Sequence, residues 1–274
     1  MHMKRKYRTA ASLAVTIVLS AALFLLFLSI EMLTGYFRPR AFRDSLRESG
    51  YAEEMEQEMI GKQKELFSSY GLPESLADEI WEENEIYLAF YKYLDEAEDA
   101  DGQWDAEDFG QRAALKKYLK AQEVYETDSV KEALEAVASQ SEAIGRRYVY
   151  PSFVKSYYEF VGERRMGFLT VAGVSASVAL LCIALLMWWY HSRHRALRFV
   201  AGGFFTAAIW NLSGMFVAEG CKGGFPVSGV ATEYYLKFLE IFQMKGMYPW
   251  YIVNVAVILV TVFLTAAVIR LRKR

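Results

Sequence analysis

Four uninterrupted apolar runs decide most of what this chain can become. They are AASLAVTIVLSAALFLLFLSI (10–30), MGFLTVAGVSASVALLCIALLMWWY (166–190), FVAGGFFTAAIWNLSGMFVA (199–218) and YPWYIVNVAVILVTVFLTAAVI (248–269). They hold 21, 25, 20 and 22 residues, and none contains an Asp, Glu, Lys or Arg. A helix crosses the hydrocarbon core of a bilayer with about 20 apolar residues. Each run therefore predicts a transmembrane helix. The mean hydropathy of the whole chain, +0.09, conceals this because a strongly charged segment separates the first run from the other three.

Charge at the ends of the runs sets an expected orientation. MHMKRKYR at the start carries four Lys or Arg, HSRHRALR (191–198) three, and RLRKR (270–274) four, with no acid in any of them. The positive-inside rule places all three in the cytoplasm. Four spans with both termini inside then leave residues 35–165 and 219–247 outside. The expected organisation is a cytoplasmic N-terminus and first transmembrane helix over 1–34, a helical extracytoplasmic domain over 35–165, and three further transmembrane helices over 166–274 with an outer loop at 219–247. The first span reads as a retained anchor, since its apolar core exceeds a usual signal-peptide core and SIEMLTGYF offers no small-x-small cleavage site.

The segment between the first two spans is acidic. Residues 31–165 contain 30 Asp or Glu against 17 Lys or Arg, and from Glu74 to Asp108 there are 14 carboxylates and one base, Lys92. Such a field repels nucleic acid and anionic lipid and draws cations or basic surfaces. The two cysteines, Cys182 in the second span and Cys221 after the outer end of the third, are separated by about 24 Å of helix and are not expected to pair. An outer domain without disulfides, and without an Asn-x-Ser/Thr site outside the spans, fits a bacterial plasma membrane.

Apolar periodicity in the outer segment is helical throughout, so the expected fold class is all-α: four transmembrane helices with a helical extracytoplasmic domain between the first and second. PRAFRDSLRESG starts on Pro39 and stops on Gly50. The next helix carries Tyr51, Met55, Met59 and Leu66 on one side and ends at Gly71. Leu76, Ile80, Tyr87, Tyr91 and Leu94 form a stripe over a single predicted helix starting near Pro73. Leu115, Leu119 and Val124 continue the pattern, and Ser129-x-x-Glu132 resembles a capping box. Tyr148, Tyr150, Phe153, Tyr157 and Phe160 run into the second span, suited to either the membrane interface or the domain core. TEYYLKFLEIF, after Gly/Pro-rich CKGGFP, is amphipathic and suited to lying on the membrane or capping the domain.

One stretch resembles a metal loop. DEAEDADGQWDAED (95–108) packs eight carboxylates around an Asp-Gly step. With Gly102 at the sixth position of an EF-hand loop, Asp99, Asp101, Asp105 and Asp108 take the third, fifth, ninth and twelfth positions. Ala97 occupies the first position, where a ligand Asp belongs, and the twelfth is Asp instead of the longer Glu. The expectation is an acidic turn with at most weak calcium affinity, and no other cofactor. The three histidines, His2, His191 and His194, all fall on the predicted cytoplasmic side. Zinc sites of the usual kind and His-assisted nucleophiles are thereby excluded outside. Inside the spans Asn211 and Asn254 are the strongest polar groups in the four runs, and Gly173/Ser177 and Gly203/Ala207 have the spacing of close helix contacts. With no acid or base in any run, a proton-coupled pump is not expected.

The succession FRPRAFRDSLRESGYAEEMEQEM … YGLPESLADEI … ENEIYLAFYKYL, over residues 36–94, resembles membrane proteins of Gram-positive bacteria that carry a helical external insert after the first of a few spans, a group with no assigned activity. The four-span layout is also similar to that of lipoprotein intramolecular transacylases. Those rely on external histidines, which this chain lacks. Two readings of function remain. The first is a plasma-membrane protein whose acidic outer domain binds a partner or ligand in sensing or assembly, in contact with membrane lipid and another membrane or cell-surface protein, not nucleic acid. Its contact residues would be Glu82, Glu83, Glu85, Asp99 and Asp101. The alternative is a transport-associated or intramembrane catalytic subunit acting on lipid or lipoprotein. The balance is against an enzyme, and no catalytic residue is nominated.

Overall fold

The computed structural model describes residues 2–81, 85–99, 111–122, 128–190, 192–220 and 232–273. Every regular element among them is an α-helix, in the order α1 (His2–Thr34), α2 (Pro39–Ser49), α3 (Tyr51–Ser69), α4 (Ser75–Ile80), α5 (Glu85–Asp99), α6 (Gln111–Ala121), α7 (Asp128–Val149), α8 (Ser152–Trp189), α9 (Arg193–Gly220) and α10 (Glu233–Lys273). Four of them, α1, α8, α9 and α10, are long and apolar enough to cross a membrane. The chain divides into two compact units.

Unit 1 is built from Met1–Phe42, Glu163–Ala231 and Leu239–Arg274. Its contacts define an alternating bundle. Phe37 at the end of α1 meets Phe168 early in α8, with ring centroids 5.0 Å apart. At the opposite end, Ser12 of α1 shares a 2.8 Å hydroxyl hydrogen bond with Tyr190, just past α8. Arg8 lies 4.5 Å above the Tyr190 ring. α9 runs parallel to α1, since Gly202 faces Thr16, Gly203 faces Leu19 and Asn211 faces Glu31. α10 returns antiparallel, its Gly246 against Gly35 and Tyr36 and its Leu264 against the core formed around Leu19, Leu23 and Leu186. Both ends of the chain, and the basic start of α9, therefore lie at one end of this unit.

Small residues set the spacing of these seams. A Cβ on Gly203 would stand 2.8 Å from Leu19 Cδ2, and Ala207 beyond it is fully buried, so the Gly203/Ala207 pair does bring two helices together. The Gly173/Ser177 pair does not. No atom lies within 4 Å of a Cβ on Gly173, and Ser177 is exposed with its hydroxyl donating to the carbonyl of Gly173 at 2.9 Å. Helix α8 instead turns Ser175, Ala179, Cys182 and Leu186 inward, a stripe offset by two residues from the expected one. Cys182 is a buried free thiol, and Cys221 lies outside the described residues.

Unit 2 comprises Arg43–Gly162 together with Thr232–Phe238. It falls inside the expected 35–165 and adds a short piece of α10. α2 and α3 stop where the sequence indicates, each followed by a left-handed glycine, Gly50 at φ 69° and Gly71 at φ 72°, a conformation that costs residues with a Cβ. α3 and α7 are locked by a reciprocal buried pair: Ser141 Oγ donates to Gln63 Oε1 at 2.7 Å and Gln63 Nε2 donates to the Ser141 carbonyl at 2.9 Å. Phe67, Leu76, Ala77, Leu115, Leu134, Val137 and Ala138 fill the adjoining core.

Three local expectations change. The helix predicted from Pro73 through Leu94 is two helices, because Trp81 leaves α4 with extended dihedrals (φ −108°, ψ 104°) while its ring is buried. The inward stripe of α5 then becomes Ile86, Phe90, Tyr93, Leu94 and Ala97, with Tyr87 and Tyr91 only half-buried. On α3, Phe67 and not Leu66 is the fully buried residue. Ser129 sits inside α7, one residue after its start at Asp128, where a first-turn hydroxyl does not cap the helix.

Candidate functional site

The described acids of unit 2 are partly neutralised from within. Arg43 reaches both Asp95 at 2.7 Å and Glu98 at 2.6 Å, joining α2 to α5, and Lys64 pairs with Asp78 at 2.9 Å. Ala97, the first position of the supposed calcium loop, is a buried core residue of α5, and Asp99 is the last residue of that helix. The side chains of Asp99, Asp101, Asp105 and Asp108, and those of Glu82, Glu83 and Glu85, lie outside the described residues. Among the described residues no cluster of three or more metal-binding side chains is present.

Of the two settings that suit the aromatic segment, membrane interface and domain core, much of it takes the second, inside unit 2. Phe153 meets Tyr51, Tyr235 and Phe238 at centroid distances of 5.6, 5.1 and 5.6 Å. Tyr150 packs on Tyr93 at 5.1 Å, whereas Phe160 is exposed. The segment TEYYLKFLEIF is not separate from the fourth span. It begins α10, a helix of 41 residues, about 60 Å at 1.5 Å per residue and twice the hydrocarbon thickness. Its first residues close over the domain, the second of the two expected placements. Glu58 holds them there: Tyr234 donates to its Oε2 at 2.7 Å and Tyr148 to its Oε1 at 2.9 Å. Burial, followed by the Glu58 hydrogen bond, pushes the Tyr148 phenol up to about 12.

The least expected group lies in unit 1. The first apolar run stops at Ile30, but the helix that can cross a membrane extends over Tyr7–Thr34 and includes Glu31. Glu31 is fully buried, as is Asn211 on α9, whose Nδ2 donates to Glu31 Oε1 at 2.6 Å. No acid falls in the first apolar run itself; Glu31 is the residue that follows it on the same helix. Asn211 bridges α9 to α1, and its partner is a carboxyl. Asn254, on α10, donates to Met215 Sδ at 3.8 Å and to its own helix at the Trp250 carbonyl at 2.9 Å. Glu31 Oε2, Asn211 Oδ1, Asn254 Oδ1 and Trp250 Nε1 are buried and have no hydrogen-bond partner among the described residues. A signal for Glu31 was present in the sequence. Leu19, Leu23 and Phe27 recur every four residues, and the next two steps on that face are Glu31 and Gly35.

A buried carboxyl paired with an amide between apolar helices can hold a proton, coordinate a cation or fix helix register. No protein-family model matches the chain, and searches of curated proteins and of solved structures give no match.

Proposed function

We propose that this is a multi-span plasma-membrane protein, of the Gram-positive kind that its sequence resembles, with both termini in the cytoplasm and an outer helical unit that works by binding a basic partner in sensing or assembly. One observation carries the binding reading: the expected outer segment, 35–165, holds 29 acids and 17 bases, so acids remain in excess even if every base is paired internally. Arg43 and Lys64 make three ion pairs, with Asp95, Glu98 and Asp78, and the contact is assigned to the stretch around Glu82–Glu85 and Asp99–Asp101. Orientation is supported by the three basic clusters, which gather at one end of unit 1.

Affinity capture from native membranes tests the reading, with wild type compared with a variant neutralised at Glu82, Glu83, Glu85, Asp99 and Asp101. Capture should fall with salt and be abolished in the variant. Capture of the same partner by both proteins at every salt concentration removes the acidic surface as the contact. The alternative, a transport-associated or intramembrane catalytic subunit, gains one specific support in the buried Glu31–Asn211 pair.

A further inference from the structure

We propose that Glu31 and Asn211 form a proton-binding site inside the four-helix unit, with the Glu31 carboxyl holding its proton on Oε2 and donating it to Asn211 Oδ1 as the return half of an acid–amide pair. The forward half is already present, Asn211 Nδ2 donating to Glu31 Oε1 at 2.6 Å. Both side chains are fully buried. The two atoms left over, Oε2 and Oδ1, have no partner among the described residues.

In an ionised Glu31 these are two acceptors flanking one hydrogen bond, and acceptors cannot bond to each other. A single proton on the carboxyl converts one of them into a donor and satisfies both. Turning the Asn211 amide over does not remove the need, because its oxygen would then face Oε1 and again require a hydrogen from the acid. A buried carboxylate that stays ionised collects several donors or a cationic partner. Glu31 receives one amide N–H. Glu58 of unit 2, only half-buried, receives two phenol hydroxyls, one more donor than the fully buried Glu31.

The titratable side chains toward the same end of the unit include Tyr36 just past α1, Glu163, Arg164 and Arg165 on α8, Glu219 on α9, and Lys245, Tyr248 and Tyr251 on α10. Tyr251 donates to Glu219, and Tyr36 lies against Gly246. A proton is also the occupant that needs no space between helices packed this closely: a Cβ on Gly35 would already collide with the Gly246 carbonyl. The inference does not depend on which face of the membrane the termini occupy, so it stands or falls apart from the binding reading above.

Infrared absorption of the full chain in lipid vesicles at neutral pH tests it. Wild type should show a carboxylic-acid C=O band, of about one carboxyl per chain, above the band of ionised carboxylates. Glu31→Gln should lose it, and Asn211→Leu should move it to higher frequency by removing the hydrogen bond. If the variants do not fold, N,N′-dicyclohexylcarbodiimide, to which protonated carboxyls in apolar surroundings add, assigns the band in wild type by the peptide that carries the adduct. Modification at Glu31 supports the site, and modification only elsewhere overturns it. Absence of any carboxylic-acid band in wild type also overturns it, as does an ionised Glu31 band that responds to exchange of Na+ for K+, the signature of a metal-ion site.

Discussion

The two units differ in what they leave exposed. In unit 1 many large apolar side chains are outside, with Trp188 80% exposed, Phe263 72% and Leu181 69%, while Ser12, Ser20, Ser29, Glu31 and Asn211 are buried beside its apolar core. In unit 2 Phe67, Phe90, Met55 and Met59 are fully buried, and the surface carries the ion pairs of Arg43, Lys64 and Arg112. Water drives apolar groups inward, whereas lipid is as apolar as the side chains themselves and leaves close packing and internal hydrogen bonds to hold helices together. Unit 1 accordingly ties its hydroxyls to the helix itself, as Thr16 donates to the Ser12 carbonyl and Thr206 to that of Gly202. The contrast argues for two solvents around one chain.

The largest expected effect sharpens this contrast by truncation. Phe67→Ala removes a fully buried ring from the unit 2 core and should cost about 3–5 kcal/mol, whereas Leu181→Ala on the exposed face of α8 should change stability by no more than about 0.5 kcal/mol. Thermal unfolding in lipid nanodiscs measures both. Equal losses would mean that Leu181 is covered by protein, not lipid.

Much of this division was legible in the sequence. Four charge-free runs marked the four long helices, and Gly50 and Gly71 marked two helix ends, because both signals act locally. The break after Ile80 was not legible, since Leu76, Ile80, Tyr87 and Tyr91 keep helical spacing across it and only the burial of Trp81 explains the extended residue. Glu31 was missed for a different reason. A window that ends at the first charge cannot see that the charge is buried, and the partner that buries it stands 180 residues away. The inward face of α8 was misassigned because Gly173/Ser177 spacing reports what a helix permits, and packing of Ala179, Cys182 and Leu186 decides what it does.

A smaller effect should appear when bulk is added to unit 1 instead of removed from unit 2. Gly→Ala inside a helix ordinarily stabilises by roughly 0.5–1 kcal/mol. At Gly246 the new Cβ would run into the Tyr36 ring, and overpacking of this kind costs about 1–3 kcal/mol, so Gly246→Ala should destabilise on balance. Gly173→Ala meets no atom within 4 Å and should keep the helix gain. A matched pair of unfolding curves checks the signs. If Gly246→Ala stabilises as much as Gly173→Ala, α1 and α10 are not packed at this point, and the account of unit 1 as held by small-residue seams loses its tightest contact.

The smallest effect concerns alkaline pH and belongs to unit 2. Tyr148 keeps its proton up to about 12 in the folded chain, against an ordinary phenol value of 10.0, because burial disfavours phenolate and neutral Tyr148 donates to Glu58. Burial also raises Tyr51, Tyr91 and Tyr93. The folded unit therefore binds more protons than the unfolded chain once pH exceeds 10. Stability is then fully present below that pH and declines as pH rises through the folded value. Circular dichroism and tyrosinate absorbance followed together above pH 10 should show loss of helix tracking phenol ionisation. Tyr148→Phe removes one contributor, so its alkaline loss of stability should be shallower, at the cost of one hydrogen bond to Glu58 at neutral pH. An unchanged alkaline slope in Tyr148→Phe would mean that Tyr148 ionises as an ordinary surface phenol, leaving Tyr234 alone to hold the first turn of α10 to Glu58.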